Sequence, residues 1–141
     1  MTTSTLVDTN ILIEIVARDG DAERRRWAQH AFLHAAGRGS MLINLVVWSE
    51  LAQPFENEAA MQAVFGPLAL QREELPWQAA FVAGQAHGRY RRKGGSRPRT
   101  LPDFLIGAHA LVRGHSLLTR DASRYRSYFP DLDILSPETH P

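Results

Sequence analysis

Four carboxylates in this chain stand where they could share chemistry: Asp8, Glu50, Asp103 and Asp121. Asp8 ends an apolar run, Thr5-Leu6-Val7, and is followed at once by a hydroxyl and an amide, Thr9 and Asn10. Glu50 falls about one helical turn beyond a second apolar run, Met41 to Val46. Asp103 lies in a helix-start signal, Thr100-Leu101-Pro102-Asp103, and Asp121 follows a third run, Ser116 to Thr119. Gathered in a partly buried pocket, four such groups repel one another unless a cation supplies the missing charge. Oxygen ligands, with no His or Cys near any of the four positions, favour Mg2+ or Mn2+ over Zn2+. Such a site can activate water and stabilise the charge of an in-line phosphoryl displacement. Singly, each acid has a plainer reading. Asp8 and Asp121 suit turns or caps, Glu50 suits a solvated helix face, and Asp103 suits a first-turn charge on the helix dipole. The case rests on their sharing one edge of the fold.

The elements that would position them follow from periodicity and punctuation. Ser4 to Val7 reads as a buried strand, and Asn10 as the cap of a helix that turns Ile11, Leu12 and Ile15 inward. Gly20-Asp21 breaks that helix, and Ala22 to Ala36 forms another, ended by Gly37-Arg38-Gly39. Met41 to Val46 is a strand of the parallel-sheet kind, with a helix from about Val47 that Pro54 interrupts. Asn57 caps a short helix to Phe65, and Leu68 to Leu75 holds an edge-like strand. Pro76 opens a long helix with Trp77, Ala80, Phe81, Gly84 and His87 or Gly88 along one side. A helix from Thr100 to Gly114, a strand at Ser116 to Thr119 and a last strand at Leu132 to Leu135 complete the chain. Strand alternating with helix predicts an α/β fold, a central, mostly parallel sheet of four to five strands covered on both faces. Right-handed crossovers bring the C-terminal strand ends, and the four acids, to one edge.

At 141 residues the chain reads as one domain, residues 1–141, with 44% apolar and 22% charged residues as in ordinary globular proteins. It has no cysteine, which excludes disulfides, thiolate metal sites and a Cys nucleophile. No apolar run approaches the roughly 18 residues of a membrane span and no signal peptide is visible, so a cytoplasmic protein is expected. The net charge is +1, and without the four acids it would be +5, carried almost wholly by Arg. An acidic pocket on a basic body suits a phosphate-rich substrate; a general Arg bias of the source proteome is the alternative.

Four segments together resemble the PIN-domain ribonucleases, and more narrowly the VapC toxins of toxin–antitoxin pairs. They are Leu6-Val7-Asp8-Thr9-Asn10-Ile11-Leu12, Trp48-Ser49-Glu50-Leu51, Pro102-Asp103-Phe104-Leu105-Ile106-Gly107-Ala108-His109-Ala110 and Leu117-Leu118-Thr119-Arg120-Asp121. Their order and spacing span nearly the whole chain. The resemblance implies a three-layer α/β/α sandwich in which Asp8, Glu50, Asp103 and Asp121 hold one or two Mg2+ or Mn2+ ions. It implies endonucleolytic cleavage of RNA, with tRNA or rRNA as substrate, a cognate antitoxin as inhibitor and a homodimer as assembly. Asn10 and Thr119 match polar positions that support the carboxylates. Gly107 and His109 stand where small or apolar residues are more usual in the third motif; they remove no ligand, and no effect on activity is expected from them.

Arg89, Arg91, Arg92, Lys93, Arg97 and Arg99 crowd a stretch with two glycines and a proline that reads as a mobile loop. It is either a phosphate-backbone contact or a solvated loop. Trp27, Trp48, Trp77 and Phe81 read as core rather than base-stacking platforms. The histidines are scattered, and His87, His109 and His115 form no evident metal set. An apolar groove around Ile15, Trp27, Ala31, Trp48 and Phe55 could receive a partner segment, with at least one of the five exposed. Two other readings compete. A PIN-like binding module without activity is disfavoured by four intact acids. An aspartyl-phosphate phosphatase or receiver domain is disfavoured by Asn10 where a second Asp belongs, and by a sole lysine, Lys93, in the basic stretch.

Overall fold

Short apolar segments build the sheet. The computed structural model describes residues 3–94 and 100–141. Strands β1 (Thr5–Val7) and β2 (Met41–Ile43) are buried throughout; β3 (Gln71–Arg72) is an exposed edge; β4 (Ser116–Leu118) and β5 (Ile134–Leu135) are buried again. All pair in parallel, in the order β3-β2-β1-β4-β5. The chain steps outward from β1 to β3 and then returns past β1 to β4 and β5. Right-handed crossovers in opposite directions put their helices on opposite faces. The reversal falls between β1 and β4, where an α/β sheet opens a crevice at its carboxyl ends. Asp8 N donates to Leu118 O (2.9 Å) across that line.

The helices are α1 (Thr9–Val16), α2 (Ala22–Ala36), α3 (Leu45–Ala52), α4 (Glu58–Phe65), α5 (Trp77–Arg92), α6 (Leu101–Arg113) and α7 (Ala122–Arg126). Among the described residues no helix is long and apolar enough to cross a membrane. Several expectations need correction. Asp8, not Asn10, caps α1, its carboxylate accepting from Thr9 N. The second strand stops at Ile43 because the Asn44 side chain accepts from Val47 N (3.0 Å) and starts α3 early. The basic stretch is not all loop: Arg89, Arg91 and Arg92 form the last turn of α5. Arg97 and Arg99 lie outside the described residues.

The inward face of α5 also differs. Ala79, Ala83 and Ala86 are buried, whereas Trp77 is 92% and Phe81 69% exposed. Small side chains allow α5 to pack closely on α6, which turns the larger i, i+4 pair outward. Trp27 and Trp48 are half-buried against the core, as are Ile15, Ala31 and Phe55. None of the five is exposed and none is fully buried, so the expected exposed member is not found there; the strongly exposed apolar side chains of α1 to α3 are instead Ile13, Leu33 and Leu45.

Candidate active site

Asp8 is the buried centre of the crevice, only 3% exposed. Its Oδ1 accepts from Thr9 N (2.8 Å). Its Oδ2 accepts from Thr119 Oγ1 (2.8 Å), Tyr125 OH (2.8 Å) and Asn10 Nδ2 (3.3 Å). Burial pushes the Asp8 carboxyl up to about 6; the bonds from Thr119 and Tyr125 oppose the rise, and the charge of Asp103 adds to it. The Tyr125 hydroxyl is itself raised well above its usual range by burial and by Asp8, so it stays protonated and donates.

Glu50 is tied to Asp8 through Thr9, Asp121 through its backbone N on Thr119, and Asp103 pairs with Asp121 across Arg124. Thr9 Oγ1 donates to Glu50 Oε1 (2.7 Å), tying α3 to the start of α1. The Arg124 guanidinium stands 3.4 Å from both Asp103 and Asp121. Burial opposes the charge of Arg124, but Asp103 foremost, with Tyr125, Asp121 and Asp8, holds it above the usual range. Asp121 caps α7, accepting from Arg124 N (3.3 Å). Thr119 Oγ1 accepts from Asp121 N (3.2 Å) while it donates to Asp8. Asn10 Oδ1 accepts from Arg120 N (3.1 Å), and Arg120 locks onto Glu14 through Nε (2.8 Å) and Nη2 (2.6 Å). Asn10 and Thr119 therefore cross-link the exits of β1 and β4.

This donor set can be tested for a divalent cation. It offers four carboxylates, and ionising one of them, Asp8, is opposed by burial. Arg124 supplies one positive charge, so a net negative site remains. Among the described residues, however, no three of these acids bring ligand oxygens within 4.8 Å of one another. An open quartet suits a hard cation that keeps several waters and uses one or two carboxylates directly, as Mg2+ does. A dehydrated tetrahedral ion would need closer ligands.

Sequence reasoning missed three participants. Tyr125 lies on α7, a helix too short to announce itself by periodicity. Thr9 stood in the first motif without an assigned task. Gly107, read as inconsequential, proves confined: a Cβ there would meet Phe129 at 2.7 Å and Tyr125 at 2.9 Å. The histidines need correction too. His87 packs at a tilt against Phe104, but His109 and His115 converge on Glu73.

The PIN domain model matches residues 5–129. No curated protein sequence matches the chain. Among solved structures, VapBC2 from Rickettsia felis bound to a promoter DNA fragment is similar at 17% identity, with a TM-score of 0.72 over 95% of this chain and 98% of that one. DNA-bound VapBC from Salmonella typhimurium is 25% identical, with a TM-score of 0.66 over 96% and 98% of the two chains. VapC20 from Mycobacterium tuberculosis, described as a Sarcin-Ricin loop cleaving toxin, is 20% identical, with a TM-score of 0.58 over 89% and 95%.

Proposed function

The chain belongs to the PIN-domain family, and we propose that it is a metal-dependent endoribonuclease of the VapC type, the toxin of a toxin–antitoxin pair. The observation that supports this reading is Asp8 buried at the reversal point of the sheet, with Glu50 held by Thr9 and with Asp103 and Asp121 paired across Arg124. A Mg2+ or Mn2+ ion held there would activate water and stabilise charge on the scissile phosphate. The protein's own groups set the stage for that ion. Thr119 and Tyr125 orient one Asp8 oxygen, Thr9 orients Glu50, and Arg124 keeps Asp103 and Asp121 from repelling each other. Substrate RNA of the tRNA or rRNA class, a cognate antitoxin, a second copy of the chain and a cytoplasmic setting complete the proposal. The exposed Trp77, Phe81, Leu33 and Ile13 leave apolar surface for protein partners.

The test is cleavage of a structured RNA pool in Mg2+ or Mn2+, wild type beside Asp103→Asn. Cleavage should require the metal and vanish in the variant; wild-type cleavage by Asp103→Asn would refute the quartet. Cleavage by neither, with Mg2+ bound, would favour the inactive binding module.

The basic end of α5 is the proposed phosphate contact. Arg89, Arg91 and Arg92 project from its exposed last turn, followed by Lys93; Arg97 and Arg99 are included from the sequence. Changing Arg89, Arg91 and Arg92 to Gln should weaken RNA binding and flatten its salt dependence. Each lost contact lowers the slope of log K against log salt by about 0.7 for single strands. An unchanged slope would return this turn to the solvent.

A further inference from the structure

A second polar cluster lies away from the acidic crevice. Gly114 adopts a left-handed conformation (φ 70°) after α6, and His115 N closes the turn on Ala110 O (2.9 Å). That reversal sets His115 beside His109, their ring centroids 6.1 Å apart. Glu73, just beyond the edge strand β3, receives both: its Oε1 lies 2.8 Å from His109 Nε2 and 2.7 Å from His115 Nε2. His109 is 0% exposed and its partners are partly buried. One ligand atom from each of the three residues falls within a sphere of mutual separation of 4.8 Å. Glu73 also lines a cleft of about 390 Å³ with Asn44, Leu45, Trp48, Arg72 and Glu74.

We propose that Glu73, His109 and His115 form a binding site for a borderline divalent transition ion of the Zn2+ class, with water from the cleft as fourth ligand. Two imidazole nitrogens and one carboxylate oxygen with an open position match the ligand type and number that Zn2+ accepts and that Mg2+ does not. The site shares no ligand with the acidic quartet.

Asn44 sets its affinity. Asn44 Oδ1 is held by Val47 N, so its Nδ2 faces His109 Nδ1 at 2.9 Å. His109 Nδ1 therefore accepts, and Nε2 carries the proton that points at Glu73. A metal needs the Nε2 lone pair, which moves the proton to Nδ1, where it meets the Asn44 amide hydrogens. Binding thus works against the cap of α3. Asn44→Asp removes the conflict: one carboxylate oxygen keeps Val47 N and the other accepts Nδ1–H, the outer partner that histidine ligands ordinarily have.

The test is titration of the full chain with Co2+, followed by visible absorption. Wild type should develop the intense bands of a four-coordinate ion, displaced by Zn2+ and not by Mg2+. Asp8→Asn should leave them intact, and His115→Asn, checked for folding by circular dichroism, should abolish them. Asn44→Asp should bind roughly 10- to 100-fold more tightly. The proposal falls if wild type shows no bands, if folded His115→Asn retains them, or if Asp8→Asn removes them. An Asn44→Asp affinity no higher than wild type would overturn the role of Asn44.

Discussion

Asp8→Asn should abolish RNA cleavage, by about 10³-fold or more, and at the same time stabilise the metal-free protein at neutral pH. The first effect follows from removing the charge of a proposed metal ligand and with it several kcal/mol of transition-state stabilisation, at about 1.4 kcal/mol per tenfold. The second follows from the Asp8 carboxyl, which folding pushes from 3.8 to about 6. A raised carboxyl means that the folded state binds the proton more tightly than the unfolded one. The associated stability is fully present below the unfolded value and is lost as pH rises through about 6. A rise of that size withholds about 3 kcal/mol from the wild type above that pH. Asn carries no charge to desolvate, and the Thr119 and Tyr125 hydroxyls can rotate to accept from its amide; Asn10 Nδ2, which donates to Asp8 at 3.3 Å, then faces a second donor and trims the gain. Denaturant unfolding in chelator should therefore give similar stabilities at about pH 4 and a clear advantage for Asp8→Asn at about pH 7.5. Equal stabilities at both would show that burial does not penalise this carboxylate.

The run Thr5-Leu6-Val7 ending on Asp8, and Leu117-Leu118-Thr119 leading to Asp121, showed strands and the edge to which they deliver acids, because parallel strands are buried on both faces. Caps at Asn57 and Thr100 and the glycine stops at Gly37 and Gly114 marked α4, α6 and the end of α2 with little error. Periodicity was weaker where two faces competed. Along α5 it fits the aromatic pair Trp77 and Phe81 as well as Ala79, Ala83 and Ala86, and only the approach of α6 decides for the small residues. Contacts between distant segments left no local trace. Glu73 and His115 are 42 residues apart, and Asp8 and Tyr125 are 117 apart.

The same distant packing gives the departures in the third motif their meaning. His109 lies inside the polar cluster, where burial holds its imidazole below the usual range against the opposing pull of Glu73. Gly107, two residues earlier on the same helix, admits the rings of Phe129 and Tyr125. A single turn of α6 thus supports both sites: one side spaces Tyr125 for Asp8, the other offers His109 to Glu73.

Gly107→Ala should expose that coupling. In an open helix position, Gly→Ala stabilises by about 1 kcal/mol. Gly84, with nothing within 4 Å of an added Cβ, should follow that rule. At Gly107 the new methyl would sit 2.7 and 2.8 Å from two Phe129 ring atoms and 2.9 Å from Tyr125 Cδ1. Neither ring has room to retreat: both are buried, Phe129 stacks edge-on against Phe104, and Tyr125 is bonded to Asp8. Overpacking of this kind costs about 1–3 kcal/mol, enough to cancel or reverse the helix-propensity gain. If Tyr125 yields, its hydroxyl leaves Asp8 Oδ2, the carboxylate loses a charge-assisted bond, and cleavage falls even where the variant is fully folded. Denaturant unfolding should place Gly84→Ala above wild type and Gly107→Ala below it, and cleavage measured well under the melting range should drop only for Gly107→Ala. Two variants equally stabilised and equally active would mean that the rings move aside freely and that Tyr125 does not position Asp8.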